Sequence, residues 1–249
     1  MKDAYTQLAS LIKRHAGAKP VYYIPAPGNW GDALIREGTL KFFKDIGLNY
    51  QERQRVRRVL DMPPGMVVYG GSGAWCELWD NSSDVAELAG KFNVLVLPST
   101  YQCKYDMSNV TFVRRDKFES AVAMPNALFC HDMAFYLDHL KGTKGKGIGF
   151  FFRRDRESAQ RLTIPACNND LNAKGCHTTC PGAFVAAVDE FSIVHTDRLH
   201  VAIAACLLGK ELHLYPGSYF KNRAVFNSSM KGRFPNVHFH EDFKIGGAK

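Results

Sequence analysis

Short apolar runs recur along the chain, and polar segments that contain glycine or proline separate them. Several of these runs lack polar alternation, which is typical of strands buried on both faces of a parallel sheet. Between them, apolar positions repeat at helical spacing, as in the segment that holds Ile35, Phe42, Phe43 and Ile46 and ends at Gly47. This alternation of strand and helix predicts an α/β fold with parallel sheets. The predicted strands are Val21–Ala26, Met66–Tyr69, Asn93–Pro98, Thr111–Val113, Ala127–Cys130, Ile148–Phe152, Phe191–Thr196, Glu211–Tyr215 and Val237–His240.

The clearest chemical signal is the turn that precedes the apolar segment Val201–Leu208. That segment contains no polar side chain, so its helix is expected to be buried on nearly all sides. Thr196 or Asp197 is expected to cap the helix, and Arg198 and His200 then fall in its first turn. A cation, an imidazole and backbone N–H groups at a helix N-terminus, beyond the carboxyl end of a strand, predict an anion site.

Two glycine-containing loops follow the first two predicted strands. The loop at residues 27–32 (PGNWGD) lacks the three-glycine spacing of the dinucleotide-binding fingerprint. A tight turn in which Asp32 caps the next helix explains this loop equally well. The second loop, Gly70–Gly73, is a place where the backbone could approach a ligand closely, with Gly71 and Ser72 as the contacts.

The segment Leu140–Gly147 is polar, rich in glycine and without apolar periodicity, which favours a linker. It divides the chain into a first domain, residues 1–142, and a smaller second domain, residues 143–249. Both parts have the same order of predicted elements. We therefore expect two similar α/β domains that face each other across a cleft.

The chain has 249 residues and a formal net charge of +8. A basic balance suits anionic partners such as phosphorylated metabolites or nucleotides, although a solvated basic surface explains the scattered charges as well. The basic residues lack interleaved aromatic residues and form no nucleic-acid-binding motif, so no nucleic acid partner is expected.

The apolar runs are far too short for a membrane span, and the segment Met1–Lys19 is charged and amphipathic, unlike a signal peptide. We therefore expect a cytoplasmic protein. Whether it forms a homo-oligomer is left open.

Seven cysteines without a secretion signal favour reduced thiols. Four potential ligands lie close together in the sequence: Cys167, Cys176, His177 and Cys180. Their spacing matches no standard zinc pattern, so unlinked loop cysteines are the preferred interpretation and no metal is expected. A metal site and a disulfide remain the alternatives.

The order of these motifs resembles that of the polysaccharide pyruvyl transferases, over about residues 21–225. The most specific part is Arg-Leu-His at residues 198–200 with Ser218–Asn222 downstream, and Gly28–Asp32 is moderately specific. The other matches are Gly70–Gly73, Arg114, Ser120, His131, Asp132 and Leu208–Lys210.

The resemblance implies two Rossmann-like domains of the GT-B glycosyltransferase type, with the acceptor on the first domain and the donor on the second. The implied reaction moves the enolpyruvyl group of phosphoenolpyruvate onto two hydroxyls of a saccharide and forms a pyruvate ketal. Phosphoenolpyruvate is then the donor substrate, and no cofactor is implied. The second domain is short for this family and the cysteine loop has no counterpart, which leaves the acceptor open.

Phosphoenolpyruvate carries a carboxylate and a phosphate, so its site needs fixed cations. Arg198 is the leading candidate, and an ion pair with Asp197 or Asp132 is the structural alternative for it. The further cations are Arg114 or Arg115, at the end of a strand, and Lys221, whose alternative is an exposed lysine.

The reaction also needs a group that delivers and removes protons. His200 suits this role because imidazole titrates near neutral pH. Asp32 is its expected partner, as a base or as an acceptor for a sugar hydroxyl. The remaining candidate substrate contacts are Leu199, Asn222, Asn29, Gly31, Gly71 and Ser72.

Two other functions stay open at the level of sequence. A GT-B glycosyltransferase that uses a nucleotide-sugar donor would also place basic residues at the N-terminus of this helix. A non-enzymatic binder of polyanions or nucleic acid would account for the net charge of +8.

Overall fold

The computed structural model describes residues 1–159 and 164–241. The chain forms two compact units. The N-terminal unit comprises residues 1–28 and 34–137, and the C-terminal unit comprises residues 29–33 and the described residues from Asp138 onward. Residues 29–33, which the predicted division assigns to the first domain, thus group with the C-terminal unit.

The N-terminal unit contains a six-stranded parallel sheet with the order β2-β1-β3-β6-β7-β8. A two-stranded antiparallel hairpin, β4–β5, was not predicted. The strands are β1 (Val21–Ile24), β2 (Gln51–Glu52), β3 (Met66–Tyr69), β4 (Trp75–Cys76), β5 (Trp79–Asp80), β6 (Asn93–Ser99), β7 (Val110–Arg114) and β8 (Leu128–Phe129). The helices are α1 (Lys2–Ala16), α2 (Asp32–Asp45), α3 (Arg57–Leu60), α4 (Ser82–Ala89), α5 (Glu119–Ala123) and a 3₁₀ segment, Met133–Leu137.

Successive side chains of the central strands enter two different apolar cores. Tyr23 and Val68 pack in a cluster with residues of α1 and α2, whereas Tyr22 and Val67 pack in a second cluster with residues of α4. Because both faces of the sheet are covered, these strands need apolar residues at consecutive positions. This confirms the interpretation of the uninterrupted apolar runs as parallel strands.

The C-terminal unit contains a four-stranded parallel sheet with the order β12-β11-β10-β9. Its strands are β9 (Ile148–Phe151), β10 (Ile193–Thr196), β11 (Glu211–Leu214) and β12 (Val237–Phe239). Its helices are α6 (Gly182–Asp189), α7 (Leu199–Leu207) and α8 (Lys221–Val225), with a 3₁₀ segment at Leu171–Lys174 and a π-helical turn at Phe226–Met230. Every residue of α7 is buried, as its apolar sequence predicts.

The start of α7 differs from the prediction. The N-cap residue is Arg198, in an extended conformation, and no side chain caps the helix. The Asp197 carboxylate instead accepts a hydrogen bond from the backbone N–H of Arg153 at 2.8 Å, while Thr196 Oγ1 accepts one from the N–H of Arg198 at 2.9 Å. Asp197 therefore ties the end of β9 to the end of β10.

The predicted linker, residues 140–147, belongs to the C-terminal unit, so residues 138–142 group with this unit and not with the first domain as predicted. The ammonium of Lys210, buried after α7, donates to the backbone oxygen of Thr143 at 2.7 Å and pairs with the Asp189 carboxylate at 2.7 Å. That carboxylate also accepts the backbone N–H of Thr143. Within the described parts of the chain, no helix is long and apolar enough to cross a membrane.

One face of the second sheet carries a row of aromatic rings. His195 lies in register between Phe150 and His213, and the two imidazoles stack with ring centroids 4.4 Å apart. His195 Nδ1 lies 3.0 Å from the hydroxyl of Tyr215. Burial, together with the imidazoles of His213 and His240, lowers the pKa of His195 from 6.5 to about 4.

This pKa predicts acid sensitivity. Between pH 6.5 and about 4 the unfolded chain binds more protons at His195 than the folded chain does. The stability due to neutral His195 is complete above pH 6.5 and is lost as the pH falls toward 4, by up to about 3 kcal/mol at roughly 1.4 kcal/mol per pKa unit. Replacing His195→Phe keeps an aromatic ring in the row and removes the titration.

The measurement is urea unfolding of both proteins at about pH 7 and about pH 4.5. We expect the free energy of unfolding to fall less with acid in the variant. An equal loss of unfolding free energy in both proteins would contradict the assignment of the acid sensitivity to His195.

Candidate functional site

The two segments that carry most of the family resemblance, the loop at residues 29–32 and the turn at residues 198–200, lie side by side in the C-terminal unit. Asp32 belongs to the loop that follows β1, and His200 belongs to the first turn of α7. Asp32 Oδ1 lies 3.8 Å from His200 Nδ1, and both side chains are largely buried. The structure therefore places the predicted acid/base residue beside its predicted partner, although their positions are 168 residues apart in sequence (200 minus 32).

The loop at residues 29–32 is held by its own side chains. Asn29 Oδ1 accepts the backbone N–H of Gly31 at 2.9 Å, and Asp32 Oδ2 accepts the backbone N–H of Asn29 at 2.8 Å. Asp32 is the first residue of α2. One of its carboxylate oxygens thus closes the loop and the other faces His200, so the turn-forming role and the predicted contact role are compatible.

Gly31 is required at its position by close packing. A Cβ atom on Gly31 would lie 2.5 Å from Asn172 Nδ2 and 3.0 Å from His200 Cβ. A side chain there would therefore require Asn172, His200 or the loop to shift. The glycine therefore lets the loop approach His200.

Arg198 is bound by two carboxylates. Its Nε and Nη2 atoms donate to the two oxygens of Asp170 at 2.9 and 2.7 Å, and its Nη1 donates to Asp155 at 2.8 Å. The Arg198 side chain is buried, and neither partner is Asp197 or Asp132, the partners expected for an ion pair. Arg198 thus fastens the loops after β9 to the start of α7.

Two other cations at the carboxyl end of the C-terminal sheet, Arg153 and Lys221, are also paired. Arg153 contacts Asp155 at 2.8 Å and pairs with Glu157, and Lys221 pairs with the same Glu157 carboxylate. Burial would raise the pKa of Glu157, but Lys221 and Arg153 lower it to about 2. Lys221, expected either to bind the donor or to be exposed, is therefore a mostly buried ion-pair partner.

Asp197 and Asn222 complete this edge. Burial raises the pKa of Asp197 to about 6, against the hydrogen bond and the charge of Arg153 and the charge of Arg198, which lower it. Asn222 Nδ2 donates to the backbone oxygens of Asp197 at 2.7 Å and Tyr215 at 2.9 Å. The Asn222 amide, a predicted substrate contact, therefore joins the ends of β10 and β11. Leu199, another predicted substrate contact, is buried at the start of α7.

The cysteine-containing loop packs on the Asn29–Asp32 loop. Asn29 and Cys176 form an isolated antiparallel bridge, and the Trp30 indole N–H donates to the backbone oxygen of Cys180 at 3.0 Å. The Trp30 ring also covers Gly175, where a Cβ atom would lie 2.7 Å from the indole. This loop, which the family resemblance does not explain, therefore supports the first glycine loop.

The loop cysteines are exposed and unlinked. Hydrogen bonds with the hydroxyls of Thr178 and Thr179 lower the pKa of the Cys176 thiol to about 7. Among the residues with described positions, no group of three or more histidine, cysteine, aspartate or glutamate side chains is arranged to hold a metal ion.

The remaining predicted cations lie in the N-terminal unit. Arg115 is fully buried and pairs with Asp132 at 2.6 Å, with Nε donating to Thr100 Oγ1 at 2.8 Å. Arg114 is partly buried, donates to backbone oxygens of Ala127 and Asp116, and lies over the ring of Phe129. Arg115 is therefore the one that turns into the unit, where it is neutralised.

The second glycine loop is shaped by contacts within the N-terminal unit. A Cβ atom on Gly70 would lie 2.4 Å from the backbone nitrogen of Ala26, and one on Gly71 would lie 2.3 Å from the carbonyl oxygen of Pro98. The Ser72 hydroxyl accepts hydrogen bonds from the N–H of Ala74 and from the Asn81 amide. Close packing of neighbouring strands therefore explains these glycines without a ligand.

A cleft of about 1060 Å³ lies elsewhere in the N-terminal unit. Its lining includes Thr6, Arg14, Tyr105, Phe112, Met124 and Asn126, and none of the predicted site residues. Half of that lining is polar or charged by residue type, but no histidine, cysteine or buried ion pair is among it. The chemistry predicted from the sequence therefore does not belong to this cleft.

Of the comparisons with known proteins, the one with solved structures finds a similar protein. No family model matches the chain, and no curated protein matches it. Among solved structures, the chain is similar to a crystal structure described as that of a functional uncharacterized protein from Klebsiella pneumoniae subsp. pneumoniae NTUH-K2044. The TM-score is 0.81 at 28% sequence identity, and the alignment covers 97% of this chain and 100% of that chain. This similarity supports the α/β fold.

Several residues of the site were missed in the sequence. Asp155 and Asp170 bind Arg198, Asn172 contacts the Asn29–Asp32 loop, and Arg154 stands exposed between two ion-paired residues. The polarity of residues 165–181 was visible, but it is equally typical of solvent-exposed loops. The pair Arg153–Asp155, at the end of an apolar run, was the available signal.

The ion pairs of Arg198 generate a stability prediction. Arg198→Met removes the guanidinium and leaves the carboxylates of Asp155 and Asp170 without it. We expect the free energy of unfolding to fall by about 3 kcal/mol, as for other buried pairs that lose one partner. The control Arg154→Met should change it by less than about 0.5 kcal/mol, because that side chain is exposed. Urea unfolding of both variants measures the difference, and equal stability of Arg198→Met and the parent protein would contradict it.

Proposed function

We propose that the protein is a pyruvyl transferase that moves the enolpyruvyl group of phosphoenolpyruvate onto two hydroxyls of a saccharide. The observation that supports this most is the 3.8 Å approach of Asp32 to His200. It unites the Gly-Asn-Trp-Gly-Asp loop with the Arg-Leu-His turn, the two segments that carry most of the resemblance. The GT-B arrangement of two Rossmann-like domains is part of this proposal.

In the proposed reaction His200 exchanges protons with the reacting groups. Imidazole can protonate the methylene carbon of the donor and accept a proton from an attacking hydroxyl. Asp32 orients the ring, or accepts a hydrogen bond from the saccharide, with the oxygen that does not bind the N–H of Asn29. Asn29 and Gly31 contribute by shaping this loop.

The donor anion is assigned to N–H groups that the ion pairs leave available. A guanidinium has five N–H donors, and the carboxylates use three of those of Arg198, which leaves two without a hydrogen-bond partner among the residues that the structure describes. Arg154 adds an exposed guanidinium, and its backbone N–H donates to Asp170 at 3.1 Å, which places it beside the same ion pair. Phosphate and carboxylate groups are suited to such planar donors.

Turnover of His200→Gln tests the assignment of the acid/base group. The protein is incubated with phosphoenolpyruvate and a panel of saccharides, and phosphate release and ketal formation are followed. Since glutamine fills a similar space but cannot exchange a proton at neutral pH, we expect turnover to fall by about 100-fold or more. His139→Gln, at an exposed position, is the matched control and should retain the parent rate.

Phosphate release that does not depend on any acceptor, or parent turnover in His200→Gln, would count against the proposal. A thermal-shift comparison of phosphoenolpyruvate with UDP- and GDP-sugars separates it from the nucleotide-sugar alternative. Stabilisation by a nucleotide sugar alone would favour glycosyl transfer, and stabilisation by DNA alone would favour the polyanion binder.

A further inference from the structure

Asn172 lies in the 3₁₀ segment after Asp170 and is 3% exposed. Its amide Nδ2 donates to Asn29 Oδ1 at 2.6 Å, and its backbone oxygen accepts the N–H of Trp30 at 3.3 Å. The acceptor atom of Asn29 is the same one that binds the N–H of Gly31. Asn172 therefore contacts three consecutive residues of the first glycine loop, by hydrogen bonds or through a shared acceptor.

Gly31 packs closely against both Asn172 and His200. A Cβ on Gly31 would meet Asn172 Nδ2 at 2.5 Å and His200 Cβ at 3.0 Å. The loop thus fits between these two side chains without room for a methyl group.

The Asn172 amide is costly in terms of stability. Its Oδ1 atom is buried and has no hydrogen-bond partner among the described residues. A buried, unpaired acceptor costs about 1–3 kcal/mol, a cost that an apolar residue of similar shape avoids. The contact of Nδ2 with Asn29 is thus the feature that an apolar residue could not supply.

From this geometry we infer that Asn172 is a positioning residue of the candidate site. It holds the Asn29–Asp32 loop against the first turn of α7 and thereby sets the separation between the Asp32 carboxylate and the His200 imidazole. The link to Asp32 is the hydrogen bond from the N–H of Asn29 to Asp32 Oδ2. The consequence for turnover rests on the proposed function, whereas the positioning itself does not.

The test compares Asn172→Leu with Asn168→Leu. Both substitutions remove amide hydrogen bonds from the same loop, but Asn168 bonds to the backbone of Phe152 and not to the glycine loop. Asn172→Asp is the third variant, because it keeps the side-chain shape and loses the donor to Asn29. NMR signals of the His200 imidazole and the Trp30 indole N–H report the loop position, and thermal unfolding reports the structural cost.

We expect both Asn172 variants to shift the His200 and Trp30 signals, whereas Asn168→Leu leaves them in place. Unchanged signals in Asn172→Leu, or equal shifts in Asn168→Leu, would overturn the inference whether or not the protein is a pyruvyl transferase. Where the parent protein turns over phosphoenolpyruvate, kcat of Asn172→Leu should fall by about tenfold or more with less than about a twofold change in the KM of the donor, as for a misplaced catalytic group. Absence of turnover in the parent protein would overturn the proposed function alone.

Discussion

The candidate site depends on the bidentate ion pair between Arg198 and Asp170. Asp170 lies in a polar loop after β9, and Arg198 is the residue from which α7 starts. The pair holds that loop at the carboxyl end of the sheet, together with the hydrogen bonds of Asn168 to the backbone of Phe152. Because planar guanidinium and carboxylate groups match in two parallel hydrogen bonds, the pair also fixes the orientation of both segments.

From this ion pair, a closed series of contacts passes through three segments. Arg198 binds Asp170. Asn172, two residues after Asp170, binds Asn29 in the first glycine loop. Asp32, in the same loop as Asn29, faces His200. His200 lies two residues after Arg198, which closes the series. Each segment therefore contributes one residue that fixes its position and one that continues the chain of contacts, so the three segments determine one another's placement.

Most strands and the apolar helix could be predicted because burial on all sides leaves a continuous apolar sequence, as in residues 94–98 and 201–207. The pairing of Asp32 with His200 was expected from the family resemblance. The roles of Asp170 and Asn172 could not be predicted, since polar residues in a loop are also typical of solvent exposure and the contact of Asn172 spans 143 residues. Likewise, a sequence does not show whether an arginine at a helix start is already neutralised.

The ion pairs at the carboxyl end of the C-terminal sheet affect how the net charge of +8 bears on ligand binding there. Arg153, Arg198 and Lys221 are matched by three carboxylates in contact with them, at Asp155, Glu157 and Asp170. Such compensated charges attract distant anions weakly, but they hold N–H groups in fixed directions. Recognition at this edge would therefore depend on how well a small ligand matches the fixed N–H directions. A scattered basic surface offers no such fixed directions, so the paired cations favour a substrate site over polyanion binding here.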